Sequence, residues 1–189
     1  MIQRRSAFAL AGALSALLLA GCAQQPTAPL RAEPTYQDAT RAPLLQSSRD
    51  AVRNLLAGLD VNATGPGPVL VATVVNVNDL SVSAPLGRTL SEQYANAMAM
   101  TGFDVKEIKL RGDVYVKEGA GELLLSRELK DIARFHNAAM VLVGTFSPAA
   151  NYTYVSLKLV RTEDSRIIRG HDYALPNDRD VNRLLALPR

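Results

Sequence analysis

The sequence predicts an α/β (α+β mixed) domain built on a single mixed sheet, with amphipathic helices packed on it and a closing antiparallel hairpin. Three observations predict it. Two β-branched apolar runs, at 69–77 and 140–146, read as buried strands. Stretches with apolar residues at helical spacing separate the early strands. A strictly alternating segment at 152–161 is followed by a turn and a partner segment, which is the pattern of a hairpin. Strands joined through helices favour parallel neighbours, and strands joined by a tight turn must be antiparallel.

The first helix is expected over 44–59, where Leu45, Val52, Leu55, Leu56 and Leu59 recur at helical spacing. Ser47 or Ser48 is expected to cap its start, and Gly58 with Gly65-Pro66-Gly67-Pro68 to end it. After the 69–77 strand and a loop at 76–85, Leu86, Leu90, Tyr94 and Met98 fall four apart, the stripe of a second helix that Gly102 closes. Val105 to Leu110 alternates and reads as a strand with one wet face. Arg111 to Gly121 is polar and Gly-rich, with a short strand at Val114-Tyr115-Val116. Leu125, Leu129, Ile132, Ala133 and His136 mark a third helix over 122–137, with Glu122 near its start, where a negative charge suits the helix dipole. In the alternating strand, Thr153, Val155, Leu157 and Leu159 share one face. Glu163-Asp164-Ser165 turns the chain into the partner strand 166–174, and Val181 to Leu187 is a short helical patch. The expected order is α-β-α-β-α-β-β-β, with no internal repeat.

Residues ahead of this domain carry an address. Arg4 and Arg5 precede an apolar run from Ala7 to Ala20, and small residues follow. Positive, apolar, small is the layout of a secretory signal, and the run is shorter than the ~20 residues a spanning helix needs. Leu19-Ala20-Gly21-Cys22 is similar to the lipobox of bacterial lipoproteins. That resemblance implies cleavage before Cys22, a diacylglycerol on its sulfur and an acyl chain on the new amine; the alternative is an uncleaved signal anchor with an incidental Cys. Ala23 rather than Asp follows Cys22, which by the sorting rule of enteric-type bacteria points to the outer membrane. Pro26, Pro29, Pro34 and Pro43 lie among small polar residues and read as a disordered tether. The tether would span roughly 65 Å extended and nearer ~25 Å as a coil. The expected organisation is a signal peptide at 1–21, a lipidated Pro-rich tether at 22–43, the α/β domain at 44–175 and a C-terminal tail at 176–189.

Composition narrows the function classes. The net charge of +3 includes Arg4 and Arg5, so the processed chain is close to neutral. With no Trp and few aromatics, it offers neither a basic face nor a stacking platform for nucleic acid. Cys22 is the only Cys, so the fold holds no internal disulfide. The only prosthetic group expected is the lipid on Cys22.

No catalytic residue and no metal ligand is assigned. His136 sits at a helix end beside Asn137. His171 lies beside Asp172 in a strand, a pairing that could serve as base and orienter, but no Ser or Cys motif accompanies it. The two His are too far apart, without a Cys, for the short ligand spacing of zinc sites. Arg111-Gly112-Asp113 reads as a Gly turn before a strand. Asn62-Ala63-Thr64 and Asn151-Tyr152-Thr153 match a glycosylation sequon that carries little weight in a bacterial lipoprotein. Gly65-Pro66-Gly67-Pro68 lacks the Lys-Ser/Thr of a phosphate loop, and its prolines lack N–H groups to cradle an anion.

One succession of segments is more specific. Arg111-Gly-Asp-Val-Tyr-Val-Lys-Glu118 is followed by Gly121-Glu-Leu-Leu-Leu-Ser-Arg-Glu-Leu129, then Ala138-Ala-Met-Val-Leu-Val-Gly-Thr-Phe146, then Tyr154-Val-Ser-Leu-Lys-Leu-Val-Arg161. This resembles the FlgO domain of outer-membrane lipoproteins linked to the bacterial flagellum. Residues 125–129 and 141–145 carry most of the match, and the resemblance covers roughly 65–175. The layout is similar, more loosely, to the α/β domains of the TolB amino-terminal region, CsgG and LpoB.

The resemblance implies a non-enzymatic, lipid-anchored outer-membrane protein facing the periplasm, needed for motility or flagellar stability, with an envelope or flagellar protein as partner; an oligomer is compatible with this reading. The alternative is an envelope adaptor, such as a regulator of cell-wall synthesis or a secretion-assembly component. In the residues themselves the same elements read as structural: Leu125 and Leu129 pack on the sheet, and Gly144 lets the strand bend or approach its neighbour closely. The segments expected to meet a partner are the Asn76–Pro85 loop and Arg111–Gly121, with Tyr115 and Lys117 as contact residues, because loops on a rigid sheet often hold function.

Overall fold

A computed structural model describes residues 33–60, 64–80, 84–108 and 127–186, with the backbone alone at 127–129. The lipobox, most of the tether and the Arg111–Gly121 segment with its short strand lie outside the described residues, as does the start of the third helix at 122–126. Tyr36–Arg189 form one unit. Its described elements run α1 (Tyr36–Ala39), α2 (Pro43–Leu55), β1 (Val69–Ala72), β2 (Val75–Asn76), α3 (Pro85–Met100), β3 (Val105–Ile108), α4 (Arg127–Phe135), β4 (Met140–Pro148), β5 (Tyr152–Arg161), β6 (Ile167–Pro176) and α5 (Arg179–Leu185).

The strands form one mixed sheet in the order β3-β1-β4-β5-β6, with β2 also paired to β4. β1 is parallel to β3 and to β4, whereas β4, β5 and β6 are successively antiparallel. The chain leaves β1 through α3 to reach β3 on one side, then returns through α4 to β4 on the other. Right-handed crossovers running in opposite directions place their helices on opposite faces. The core divides that way. Leu86, Leu90, Tyr94 and Met98 of α3 join Val52 and Leu55 of α2 over Val71, Leu142, Leu157 and Leu159. On the other face Ala133 of α4 packs with Leu70, Val141, Val143 and Val160. Thr153, Val155, Leu157 and Leu159 are all buried, as the alternation predicts.

Several elements differ from expectation. The 69–77 strand is two strands, interrupted at Thr73–Val74. The break reverses the side-chain alternation, so Val74 joins Val69 and Val71 on the α3 face. Its N–H, lost to the ladder, donates to Ser91 Oγ at 2.8 Å, and Ser91 in turn donates to the Gly87 carbonyl at 2.7 Å.

α2 starts at Pro43, whose fixed φ and missing N–H suit a first helical turn. Ala42 occupies the cap position without a side-chain hydrogen bond, so neither Ser47 nor Ser48 caps the helix. Ser48 is buried in its middle and donates to the Leu44 carbonyl at 3.0 Å.

Within the stretch read as tether, Tyr36–Ala39 makes one helical turn. It is tied to α2 by the Gln46 amide, which donates to the Thr40 carbonyl at 3.0 Å. At the other end α5 brings Val181 into the main core. Its start is capped by Asp178, whose carboxylate accepts from the Asp180 and Val181 N–H groups at 3.0 and 2.9 Å.

Candidate interaction surface

Among the described residues the acidic and basic side chains meet in exposed or half-exposed ion pairs, Arg53 with Asp50, Arg134 with Asp131, and Asp164 with both Arg161 and Arg166. His171 and Asp172 alternate on β6. His171 lies opposite Leu157 on the face that carries α2 and α3, and Asp172 lies opposite Ser156 on the other. Side chains on opposite faces of a sheet cannot act as a base and its orienter, so this pairing is set aside. The His171 ring instead stacks on Tyr173, with centroids 6.2 Å apart. His136 follows the last turn of α4, its N–H bonded to the Ile132 carbonyl at 3.1 Å, and its ring meets Phe135 edge-on. No group of three or more His, Cys, Asp or Glu that could hold a metal occurs among the described residues. The Asn76–Pro85 loop begins as a tight turn, with the Asp79 N–H on the Asn76 carbonyl and the Asn78 N–H on Asn76 Oδ1. Residues 81–83 of that loop, and Tyr115 and Lys117, lie outside the described residues.

One polar seam crosses the main core. The Tyr94 hydroxyl of α3 hydrogen-bonds the Tyr173 hydroxyl of β6, and Tyr173 also meets Ser48 of α2. Three elements distant in sequence are thereby held together at one point. Burial pushes the Tyr173 phenol from its ordinary 10.0 up to about 12, against the opposing effect of its bonds to Tyr94 and Ser48. Burial raises the Tyr94 phenol as well, and the neighbouring Tyr173 adds to the rise. Both are therefore neutral hydrogen-bonding groups at physiological pH, not acids or bases.

The consequence for stability has a definite sign. Below pH 10 both phenols are protonated in the folded and the unfolded chain. Above it the unfolded phenols lose protons first, so stability falls as pH rises through 10 toward about 12. Urea unfolding midpoints across that range should decline in the parent. The decline should be shallower in a Tyr94→Phe variant, which keeps the ring and loses the titrating hydroxyl.

The remaining surface feature is the half of the sheet that α4 leaves open. Tyr152 and Tyr154 stand two residues apart on β5 and are 48% and 55% exposed. They lie opposite Pro176 and Ala174 of β6, and Tyr154 also faces Ser147 of β4. Around them Ser156, Lys158, Gly170 and Asp172 complete a shallow, mostly small-residue face. The signal for this patch is present in the sequence: burying Thr153 and Val155 forces Tyr152 and Tyr154 outward. Aromatic rings with a wet tip and an apolar body are characteristic of protein contact surfaces.

The chain is similar to several solved structures. The LpoB C-terminal domain from Escherichia coli is 20% identical, with a TM-score of 0.49 over 70% of this chain and 98% of that one. The LpoB C-terminal domain from Salmonella enterica is 19% identical, with a TM-score of 0.47 over the same shares. A PelC dodecamer subunit from Paraburkholderia phytofirmans is 16% identical, with a TM-score of 0.43 over 62% of this chain and 75% of that one. Comparison with curated proteins gave no match. The family model described as FlgO protein matches residues 49–180, from the middle of α2 to the start of α5. That match spans well over half of the sequence and takes in every strand of the sheet, and on it the chain belongs to the FlgO family.

Proposed function

We propose that the protein is a non-catalytic outer-membrane lipoprotein, an accessory component associated with the flagellum that supports motility or flagellar stability. FlgO membership over residues 49–180 carries this reading. The lipobox-like Leu19-Ala20-Gly21-Cys22 supports the anchoring part of it. No helix among the described residues is long and apolar enough to cross a membrane. Attachment is assigned to lipid on Cys22 on the strength of that motif. A single chain binds a membrane only marginally, whereas several chains on one residue hold it there. The Pro-rich segment before Tyr36 then lets the folded domain reach away from the membrane into the periplasm, toward an envelope or flagellar protein.

Replacing Cys22 by Ser removes the acceptor sulfur. The expected result is near-complete transfer of the protein from the membrane to the soluble periplasmic fraction, with the domain still folded by circular dichroism. Persistence in the outer-membrane fraction would refute the anchor. Deletion of the gene in a flagellated host is expected to reduce swimming, with rescue by the parent and not by the Cys22→Ser form. Normal motility together with crosslinks to a cell-wall synthase would instead establish the envelope-adaptor reading.

A further inference from the structure

The two edges of the sheet are protected to different degrees. On the described part of the β3 edge, Val105–Ile108, Lys106 and Glu107 are exposed, charges of the kind that resist pairing. The β6 edge is ten residues long. Its first part is blunted: the register shifts by a bulge opposite Leu159 and Val160, and Arg166 and Arg169 flank it. From Gly170 to Leu175 the strand is regular and contains neither Lys nor Pro. Its backbone pairs with β5 on one side, and no strand pairs with it on the other among the described residues.

We propose that the Gly170–Leu175 edge accepts an extended segment of a partner protein by strand addition, and that this segment places a Lys or Arg opposite Asp172. The inference deepens the partner-binding role proposed above and rests on it for the existence of a partner. Asp172 is exposed and forms no ion pair among the described residues. It projects on the open face between Gly170 and Ala174, both exposed and both too small to fill the space beside it. An added strand lies ~4.8 Å beyond β6, with the residue opposite Asp172 on the same face. A cation there meets an unpaired carboxylate. The side chains two residues before and after it enter the space over Gly170 and Ala174, with Tyr154 standing directly behind Ala174. Main-chain bonds supply the affinity of such a complex and the alternate side chains its selectivity. A second copy of the chain fits less well. Antiparallel pairing of β6 with itself about His171 sets Asp172 against Gly170, and pairing about Gly170 sets it against Ile168; pairing about Arg169 would set it against Arg166, but carries the bulge of β6 into the paired segment.

The test uses the full-length lipidated chain in detergent and peptides of about nine residues that alternate Thr and Val around a central Lys, Glu or Gln. The Lys peptide is expected to bind about tenfold more tightly than the Glu peptide, with Gln between them. Asp172→Lys should invert that order, and Ala174→Pro, which breaks the edge, should abolish binding of all three. Equal binding of the three peptides, an order unchanged by Asp172→Lys, or no binding at all would overturn the proposal. So would sedimentation showing a dimer that Ala174→Pro dissociates, because the edge would then belong to a second copy. If the proline variant fails to fold, the charge inversion decides alone. These readouts are independent of motility, so failure here leaves the flagellar reading standing, and loss of that reading leaves the edge testable.

Discussion

Replacing Gly67 by alanine is expected to destabilise the fold by about 2–5 kcal/mol, the sum of a strained backbone and a forced contact. Gly67 has φ +126°, a conformation L residues rarely adopt, and a Cβ built there would lie 2.3 Å from the Asn137 carbonyl oxygen and 3.2 Å from the Ala139 nitrogen. Both obstacles are backbone, so neither can swing away. The adjacent Pro68 carbonyl accepts the Ala139 N–H at 3.0 Å, so a shift that relieved the clash would break this bond at the entry to β4. For a domain of this size each kcal/mol lowers Tm by ~2–4 °C, which places the expected loss near ~10 °C. Gly58 provides the control. Its φ is +71°, but nothing lies within 4 Å of the place an added methyl would occupy, so Gly58→Ala should cost only about 1 kcal/mol of backbone strain. Urea unfolding of the two variants side by side checks the difference; equal losses would mean that the contact at Gly67 is relieved by movement of the 136–139 turn.

Leu157→Ala is expected to cost about 3–4 kcal/mol, in the range for emptying a fully buried leucine site. Leu157 is completely buried in the middle of β5. It also fills the space that Gly144 leaves open. A Cβ at 144 would stand 2.9 Å from a Leu157 methyl, 3.1 Å from Val74 and 3.3 Å from the Ser156 carbonyl oxygen. Gly144→Ala alone should therefore cost about 1–3 kcal/mol through overpacking. In the double variant the alanine at 144 enters space vacated at 157, so the combined loss should fall short of the sum by about 1 kcal/mol or more. Strict additivity in a double-mutant cycle would show that Val74 and the backbone, rather than Leu157, exclude a side chain at 144.

Gly144 illustrates how far local pattern reaches. A glycine inside an apolar strand signals a bend or a close approach, and the close approach is what occurs. Which side chain occupies the space depends on the β4–β5 register, which sets Gly144 opposite Leu157. The hairpin was legible because strict alternation and a turn suffice to define one. The break at Thr73–Val74 was not. A continuous β-branched run has no local mark of interruption, and the Ser91 hydroxyl that takes the freed N–H comes from α3. Ser48 misled for a similar reason. A serine near a helix start reads as a cap, but Pro43 begins the helix earlier and leaves Ser48 facing the core and Tyr173.

The candidate surface divides in the same way. Outward placement of Tyr152 and Tyr154 follows from the alternation of β5. Their openness depends on α4 covering only part of that face, and the open space beside Asp172 depends on β6 being the last strand of the sheet among the described residues. The adjacency of His171 and Asp172 in sequence suggested cooperation that the pleat forbids.

By itself the sequence determined the fold class, the helical stripes, the closing hairpin, the lipobox-like Cys22 and the resemblance to FlgO, because each is written in short-range periodicity or in a contiguous motif. Only the tertiary structure decided the strand order, the joining of Tyr94 to Tyr173, the obstruction at Gly67 and the exposure of the β6 edge. Each of these depends on segments far apart in the chain meeting in space, and no local pattern specifies which segments meet.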